Sequence, residues 1–499
     1  DRIQVVVHTK QYQDQYLEHL GKDIESWPAI RMVKGRSNFT CNHNPILNAD
    51  VAPCTISSKD FCPEYEVGNC DYYNQKEAGT SAPLSLWNYA NWMIQANKYR
   101  SKEKPYETDF LVLDEAHVVE DMLRQYIQIE INGKTLEKIN IYDYPRSIKY
   151  IEWKNWATKT RRDLTPEFEH MLTKAEFHSA SPEVIRRWQI GRQVWMKAGQ
   201  LSTLMYEEWI ISYDGVKNTF KPVWVNQFGK SHIFRHAKKV LLMSGTILNP
   251  EHFIQGLGIS IKDVDYFRLP STFPKENRPV IVRPTVRVSQ KMTDEDRQIL
   301  VTEVDRILAR HPGDKGLIHT SNYVVAKLIM DNSMYRSRLM DHNTVNRTDQ
   351  LAKFKYQPGN KVLISPSMTE GVDLPYDATR FQIIAKLPFP NKGDEQISRR
   401  MKLGPDGLPN PKGQQWYSWV TACKMIQSCM RAVRADDDRA VTYILDSNAS
   451  WFLRSVWKML PPWFKESIIQ EEIKEETFSQ IVNDLRKDLD NSKLFLGGD

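Results

Sequence analysis

Short apolar runs separated by longer polar stretches set the rhythm of this chain. Ile3 to Val7 is a β-branched run that predicts a buried strand, and the polar stretch from Gln11 to Leu20 behind it has a helical pattern. Residues 84–97 (LSLWNYANWMIQAN) are apolar and suit either strand or helix. Phe110 to Leu113 predicts another buried strand, ending in Asp114, Glu115, Ala116 and His117. Lys239 to Met243 predicts a further one, ending in Ser244, Gly245 and Thr246. After a Pro-rich joint at 270–284 the alternation resumes, with strands expected at 316–319, 361–365, 380–385 and 440–445. Strands that alternate with helices predict parallel α/β domains. From about 120 to 235 the pattern is helical instead, rich in Trp and charge. Residues 41–70 carry Pro45, Pro53, Pro63 and Gly68 and predict loop. The tail, 465–499, is acidic and helix-like.

Composition narrows the class. A chain of 499 residues holds several domains and buries several cores without disulfides. Hydrophobic residues at 41% and charged residues at 26% exclude a wholly disordered chain. The formal net charge of +6 permits a nucleic-acid partner without demanding one. No run of eighteen apolar residues exists, so no membrane association is expected. With no signal-peptide core at its start, the chain is expected inside the cell: in bacterial or phage-infected cytoplasm, or in a nucleus. Four of its six cysteines, Cys41, Cys54, Cys62 and Cys70, fall within thirty residues. In a reducing compartment such a cluster suggests a metal or redox centre rather than disulfides. The spacing lacks both the paired knuckles of structural zinc and the ferredoxin pattern, so it favours neither metal; the clustering itself argues against four unrelated thiols.

The chemistry-bearing strings follow strands. Four apolar residues followed by Asp114 and Glu115 have the form of a Walker B strand. There Asp114 would hold Mg²⁺ through water, and Glu115 would orient the water that attacks a γ-phosphate. The dipeptide alone is equally a surface pair. Gln427, Arg431 and Arg434 are spaced to share one helix face, and paired guanidiniums suit phosphate oxygens. Taken by themselves, they more readily form a solvated basic face paired with Asp436 to Asp438. Gly371 and Asp373, in Thr369-Glu-Gly-Val-Asp-Leu374, follow a predicted strand and are weak evidence alone. Gly229-Lys-Ser231 is a decoy for a phosphate loop, because Trp224 stands where the first Gly is needed.

Together and in order, these strings resemble the XPD/DinG family of iron–sulfur superfamily-2 DNA helicases. VVVHTKQYQDQ is similar to motif Ia, with Thr9 and Lys10 toward the DNA backbone; VKGRSNFTC is similar to the lead into the first cluster cysteine. LVLDEAH resembles motif II, LLMSGTI motif III, HTSNY with Ser321 motif IV, SPSMTEGVDLP motif V, and QSCMRAVR motif VI. The resemblance implies a 4Fe–4S cluster on Cys41, Cys54, Cys62 and Cys70, ATP and Mg²⁺ as cofactors, and Arg434 as an arginine finger beside Arg431 and Gln427. It implies two RecA-like α/β motor domains. The first would comprise 1–40, 71–119 and 236–270, with a cluster domain inserted at 41–70 and a helical Arch domain at 120–235; the second would be 271–499 with its acidic tail. The basic, aromatic Arch stretch would track phosphates and stack bases. The expected activity is ATP-driven, 5′ to 3′ translocation on single-stranded or forked DNA, of use in processes such as DNA repair.

Two departures qualify this. Met430 stands where the family has Gly. The chain begins at motif Ia, so the family's upstream phosphate loop is missing and a fragment is expected; without that loop, ATP turnover would be weak or nil. The alternative readings are a catalytically inactive, helicase-like DNA-binding scaffold subunit and, more weakly, an RNA-dependent ATPase with a zinc site.

Overall fold

The computed structural model describes residues 2–20, 30–98, 108–204, 208–343, 346–366 and 374–470. They pack as two units: residues up to 247 with 251–264 and 393–410, and residues 248–250, 265–392 and 411 onward. No helix among the described residues is long and apolar enough to cross a membrane.

The first unit contains β1 (Ile3–Val7), β2 (Ile30–Val33), β3 (Leu84–Asn88), β4 (Thr108–Leu113), β5 (Ile129–Asn132), β6 (Trp209–Tyr213), β7 (Lys217–Pro222) and β8 (Ala237–Leu242). Five form a wholly parallel sheet in the order β2-β3-β1-β4-β8. Parallel strands buried on both faces read as continuous apolar runs, which is why β1 and β4 are legible in the sequence. The ambiguous stretch 84–97 is both elements in turn. Asn88 ends β3, and its side chain accepts from Asn91 N to cap the helix Tyr89–Asn97.

The stretch 120–235 departs from the all-helical expectation. β5, β7 and β6 form an antiparallel sheet. The helices Tyr150–Phe168 and Pro182–Ser202 share a core with it that includes Trp153, Trp156, Val194, Ala198 and Phe220. Alternate residues of β7 are buried, the period of a strand with one face on a core. The tryptophans expected to stack bases are thus mostly interior: Trp153 is 1% exposed, and Trp156 and Trp195 are buried too. Gly229, in the decoy string, lies in the helix Asn226–His232. A Cβ there would sit 2.0 Å from Leu257 O, so close backbone packing explains this glycine.

The second unit contains β9 (Val280–Val282), β10 (Gly316–His319), β11 (Leu339–Met340), β12 (Val362–Ser365), β13 (Phe381–Ile384), β14 (Val441–Ile444) and β15 (Ile468–Gln470). They form a second parallel sheet, in the order β11-β12-β10-β13-β14-β9-β15. Its core joins Ile318, Ile364, Phe381 and Ile383 to apolar residues of the helices Asp294–Arg310 and Tyr323–Asn332. The start of the expected helical tail is instead β15, paired with β9; residues 471–499 lie outside the described residues. Residues 393–410, inside the range expected for the second motor domain, pack with the first unit.

Candidate functional site

β4 delivers Asp114 and Glu115 to the carboxyl edge of the first sheet, where ligands of α/β folds bind. Asp114 N still bonds Val6 O at 2.9 Å, so the backbone that carries the carboxylate is held by the sheet itself. Its Oδ2 accepts from Tyr16 OH at 2.6 Å and its Oδ1 from Glu115 N at 2.9 Å. Each oxygen keeps a lone pair for a cation or its water. Burial raises the Asp114 carboxyl above its ordinary value, and the Tyr16 bond works against that. Glu115 has φ 50°, a left-handed conformation that costs a non-glycine residue about 1–3 kcal/mol. Strain of this kind persists where the surroundings over-determine it. Here His117 Nδ1 lies 3.3 Å from Glu115 Oε2 and 2.9 Å from Ser244 Oγ. Thr246 N in turn donates to Ser244 Oγ at 3.2 Å. One imidazole nitrogen therefore joins the acidic string after β4 to the Ser-Gly-Thr string after β8.

The four cysteines come together. Cys41, Cys54, Cys62 and Cys70 all line one cavity, and all are free thiols. Burial raises the Cys62 and Cys70 thiols. Arg36 donates to Cys54 Sγ at 3.2 Å and to Tyr73 OH at 2.7 Å, and its guanidinium lies 4.4 Å from the Tyr72 ring centre. Among the described residues, no three His, Cys, Asp or Glu side chains are set for a single metal ion. Four thiols around one cavity, with a cation beside them, fit an anionic four-thiolate cluster. The cysteine loop also shares a core with 172–188: Cys41, Ile56, Leu172 and Ile185 are buried together, and Leu172 N bonds Ile56 O at 2.9 Å.

Upstream, Thr9 Oγ1 accepts from Tyr12 N at 3.3 Å at the start of the helix Lys10–Leu20. Lys10 Nζ donates to Asn38 Oδ1 at 2.7 Å, tying this helix to the string that leads into Cys41.

In the second unit the expected shared helix face is not formed. The helix Gly413–Cys429 carries Gln427 but ends before Arg431 and Arg434. Asp438, wholly buried, ties down the segment that follows the helix. Its Oδ2 accepts from Arg434 N (3.2 Å) and Tyr376 N (3.0 Å), and its Oδ1 from Arg439 N (2.8 Å) and Arg380 Nη1 (3.2 Å). These bonds hold 434–439 as a loop. Gln427 and Arg431 are buried and Arg434 is exposed. Met430 has an ordinary φ of −90°, so the backbone there does not require the family's glycine. Ser321 follows β10 with φ 57°, and its hydroxyl donates to Lys386 O at 3.0 Å. Gly371 and Asp373 lie outside the described residues.

Sequence reasoning missed an aromatic stack in this unit. Phe389 stacks on Tyr417 (6.0 Å, 13°) and on Trp451 (6.1 Å, 15°), and Lys392 Nζ lies 4.7 Å from the Tyr417 ring centre. Trp451 is 44% exposed. The signal was the Pro-flanked Phe389 just past β13; Tyr417 and Trp451, both distant in sequence, complete the stack.

Residues 309–467 match the family described as the helicase C-terminal domain. No curated protein matches the chain. Among solved structures, an XPD helicase is similar over 94% of this chain and 91% of its own, at 14% identity and a TM-score of 0.61. An apo XPD is similar over 94% of this chain and 92% of its own, at 12% identity and a TM-score of 0.58. The fold is therefore similar to that of these XPD helicase structures, with two RecA-like parallel sheets.

Proposed function

We propose that this chain is the body of an ATP-driven DNA helicase that translocates 5′ to 3′ on single-stranded or forked DNA. The observation that carries the reading is the bonded set Tyr16, Asp114, Glu115, His117 and Ser244 at the carboxyl edge of the first sheet. Asp114 would hold Mg²⁺, because a carboxylate with free lone pairs suits a hard cation. Glu115 would orient the water that attacks the γ-phosphate, with Gln427, Arg431 and Arg434 answering the charge that develops there. His117 would report that event to Ser244. Gly371 and Asp373 would contribute to nucleotide binding.

Thr9, Lys10 and Ser321 would contact the DNA backbone. The exposed end of the Phe389–Trp451 stack, with Lys392 near, gives a platform for bases. Cys41, Cys54, Cys62 and Cys70 would hold a 4Fe–4S cluster, which would pin the loop against the insertion. The likeness of the whole fold to an XPD helicase supports this reading.

The test uses the protein as its gene encodes it, on forked duplexes with a 5′ or a 3′ single-stranded tail. ATP-dependent unwinding of the 5′-tailed fork is expected. Glu115→Gln should abolish hydrolysis and spare DNA binding. Normal hydrolysis in that variant would overturn the role of Glu115. DNA binding by a wild-type protein that hydrolyses no ATP would favour the scaffold reading.

A further inference from the structure

Residues 393–410 follow β13 of the second unit in the chain, yet pack in the first. The chain leaves after Lys392 and returns at Pro411, just before the helix Gly413–Cys429 that carries Gln427. Between these crossings lie the helix Glu395–Lys402 and a hairpin closed by the Leu403–Pro409 bridge.

Arg400 is the centre of the attachment. It is 8% exposed, and its Nη1 lies 2.5 Å from Glu120 Oε1. Its Nε donates to Val223 O at 2.5 Å, and its guanidinium lies 4.6 Å from the Trp224 ring centre. Glu120 is 15% exposed and belongs to the helix Val119–Ile127, which follows the Glu115–His117 string directly. Space for its carboxylate is kept by Gly256, where a Cβ would sit 2.8 Å from Glu120 Oε2. Around this pair the contacts run to main-chain oxygens in both directions. Gln396 Nε2 donates to Pro222 O at 2.9 Å, Trp224 Nε1 to Leu403 O at 2.9 Å, and Asn226 Nδ2 to Pro405 O at 3.0 Å. Residues 222–226 are where β7 of the insertion passes into the helix Asn226–His232.

We propose that 393–410 is a mechanical strap, buckled by the Arg400–Glu120 pair, that fastens the chain entering the Gln427 helix to the helix following Glu115 and to the root of the insertion. A buried ion pair is a poor source of net stability, because desolvation offsets its attraction. It is a good source of position, because each charge tolerates only the other's place. Bonds to main-chain oxygens add fixed geometry. A shift of the chain at 392 or 411 then bears on Glu120 and on 222–226 together. Arg400 and Glu120 are positioning residues that touch no reacting atom. The fastening stands without the proposed function; its use in relaying DNA binding rests on that reading.

Amide hydrogen exchange on the full chain tests this, with and without an oligonucleotide of about twenty thymidines. In the free protein, Arg400→Met should speed exchange about tenfold or more in both 395–402 and 119–127, leaving β10, β12 and β13 unchanged. Asn226→Ala, a milder change at the rim, should speed 395–402 by roughly threefold and is decisive if Arg400→Met does not fold. In the wild type the oligonucleotide should alter exchange in 119–127. Arg400→Met should bind it within about twofold of wild type but lose that response. Unchanged exchange in 119–127, or a response that persists in Arg400→Met, would overturn the strap. If the wild type binds no oligonucleotide, the DNA reading fails and the free-protein comparison alone decides the fastening.

Discussion

Replacing Asp438 by Asn changes one oxygen of a buried carboxylate to an amide nitrogen. Four N–H groups converge on that carboxylate, two per oxygen: Tyr376 N and Arg434 N on Oδ2, Arg439 N and Arg380 Nη1 on Oδ1. Whichever way the new amide turns, two donors then face a donor. A buried polar group left without its partner costs about 1–3 kcal/mol, so the pair sums to about 2–6 kcal/mol. Arg380 retains Asp377 at 2.8 Å and Arg439 O at 3.1 Å, which lowers the cost on its side. The expected loss is then about 2–4 kcal/mol, below the 5–15 kcal/mol that holds a typical domain, so the unit stays folded. At 1.36 kcal/mol per tenfold, amides of 376–380 and 430–440 should exchange roughly 30- to 900-fold faster. Exchange in β10 and β12 should change much less. In a hydrolysing protein, ATP turnover should fall with the disordering of Arg434, while single-stranded DNA binding persists. A change below about fivefold at 430–440, or an equal one across the unit, would refute the claim that Asp438 builds this loop.

Cys54→Ser, purified anaerobically, should lose most of the iron and acid-labile sulfide that the wild type retains; equal content in the two would remove Cys54 from the cluster. Gly316→Ala should destabilise the second unit by about 1–3 kcal/mol in urea unfolding, since its Cβ would stand 2.2 Å from Phe381 Cζ in a full core. No loss would mean that the ring has room to move. Burial holds the His319 imidazole down at about 4, helped by the Arg431 charge and opposed by Gln382. The folded state thus favours the neutral ring. That contribution is fully present above the ordinary value of about 6.5 and is lost as pH falls toward 4, worth about 2–4 kcal/mol. Unfolding of the second unit, followed across pH 4–7, should show this slope in the wild type and a flatter one in His319→Gln. Equal slopes would refute it.

Several elements were legible because their causes are local. β1, β4, β10 and β12 each contain a short apolar run followed by polar residues, as strands buried on both faces do. Asp114, Glu115 and Ser244 follow strands, so their edge positions came with the strands. The errors share another cause. β7 carried a period-two pattern, but its charged and Pro residues hid it beside the long Trp-rich helices. Trp153 and Trp156 looked like a nucleic-acid surface by composition, and Phe220 of β7 encloses them.

By itself, then, the amino-acid sequence determined the class of fold, the order of its chemical strings and the presence of a four-thiol loop. These depend on periodicity, on strand ends and on residue type, all of which are properties of neighbours in the chain. The tertiary structure alone decided that Arg431 and Arg434 leave the helix for a loop tied down by Asp438. It alone decided that 393–410 cross into the first unit and that Phe389 and Trp451 stack. These follow largely from partners far apart in the chain, up to 177 residues for Arg400 and Val223, whose contact the chain acquires only when its elements have packed.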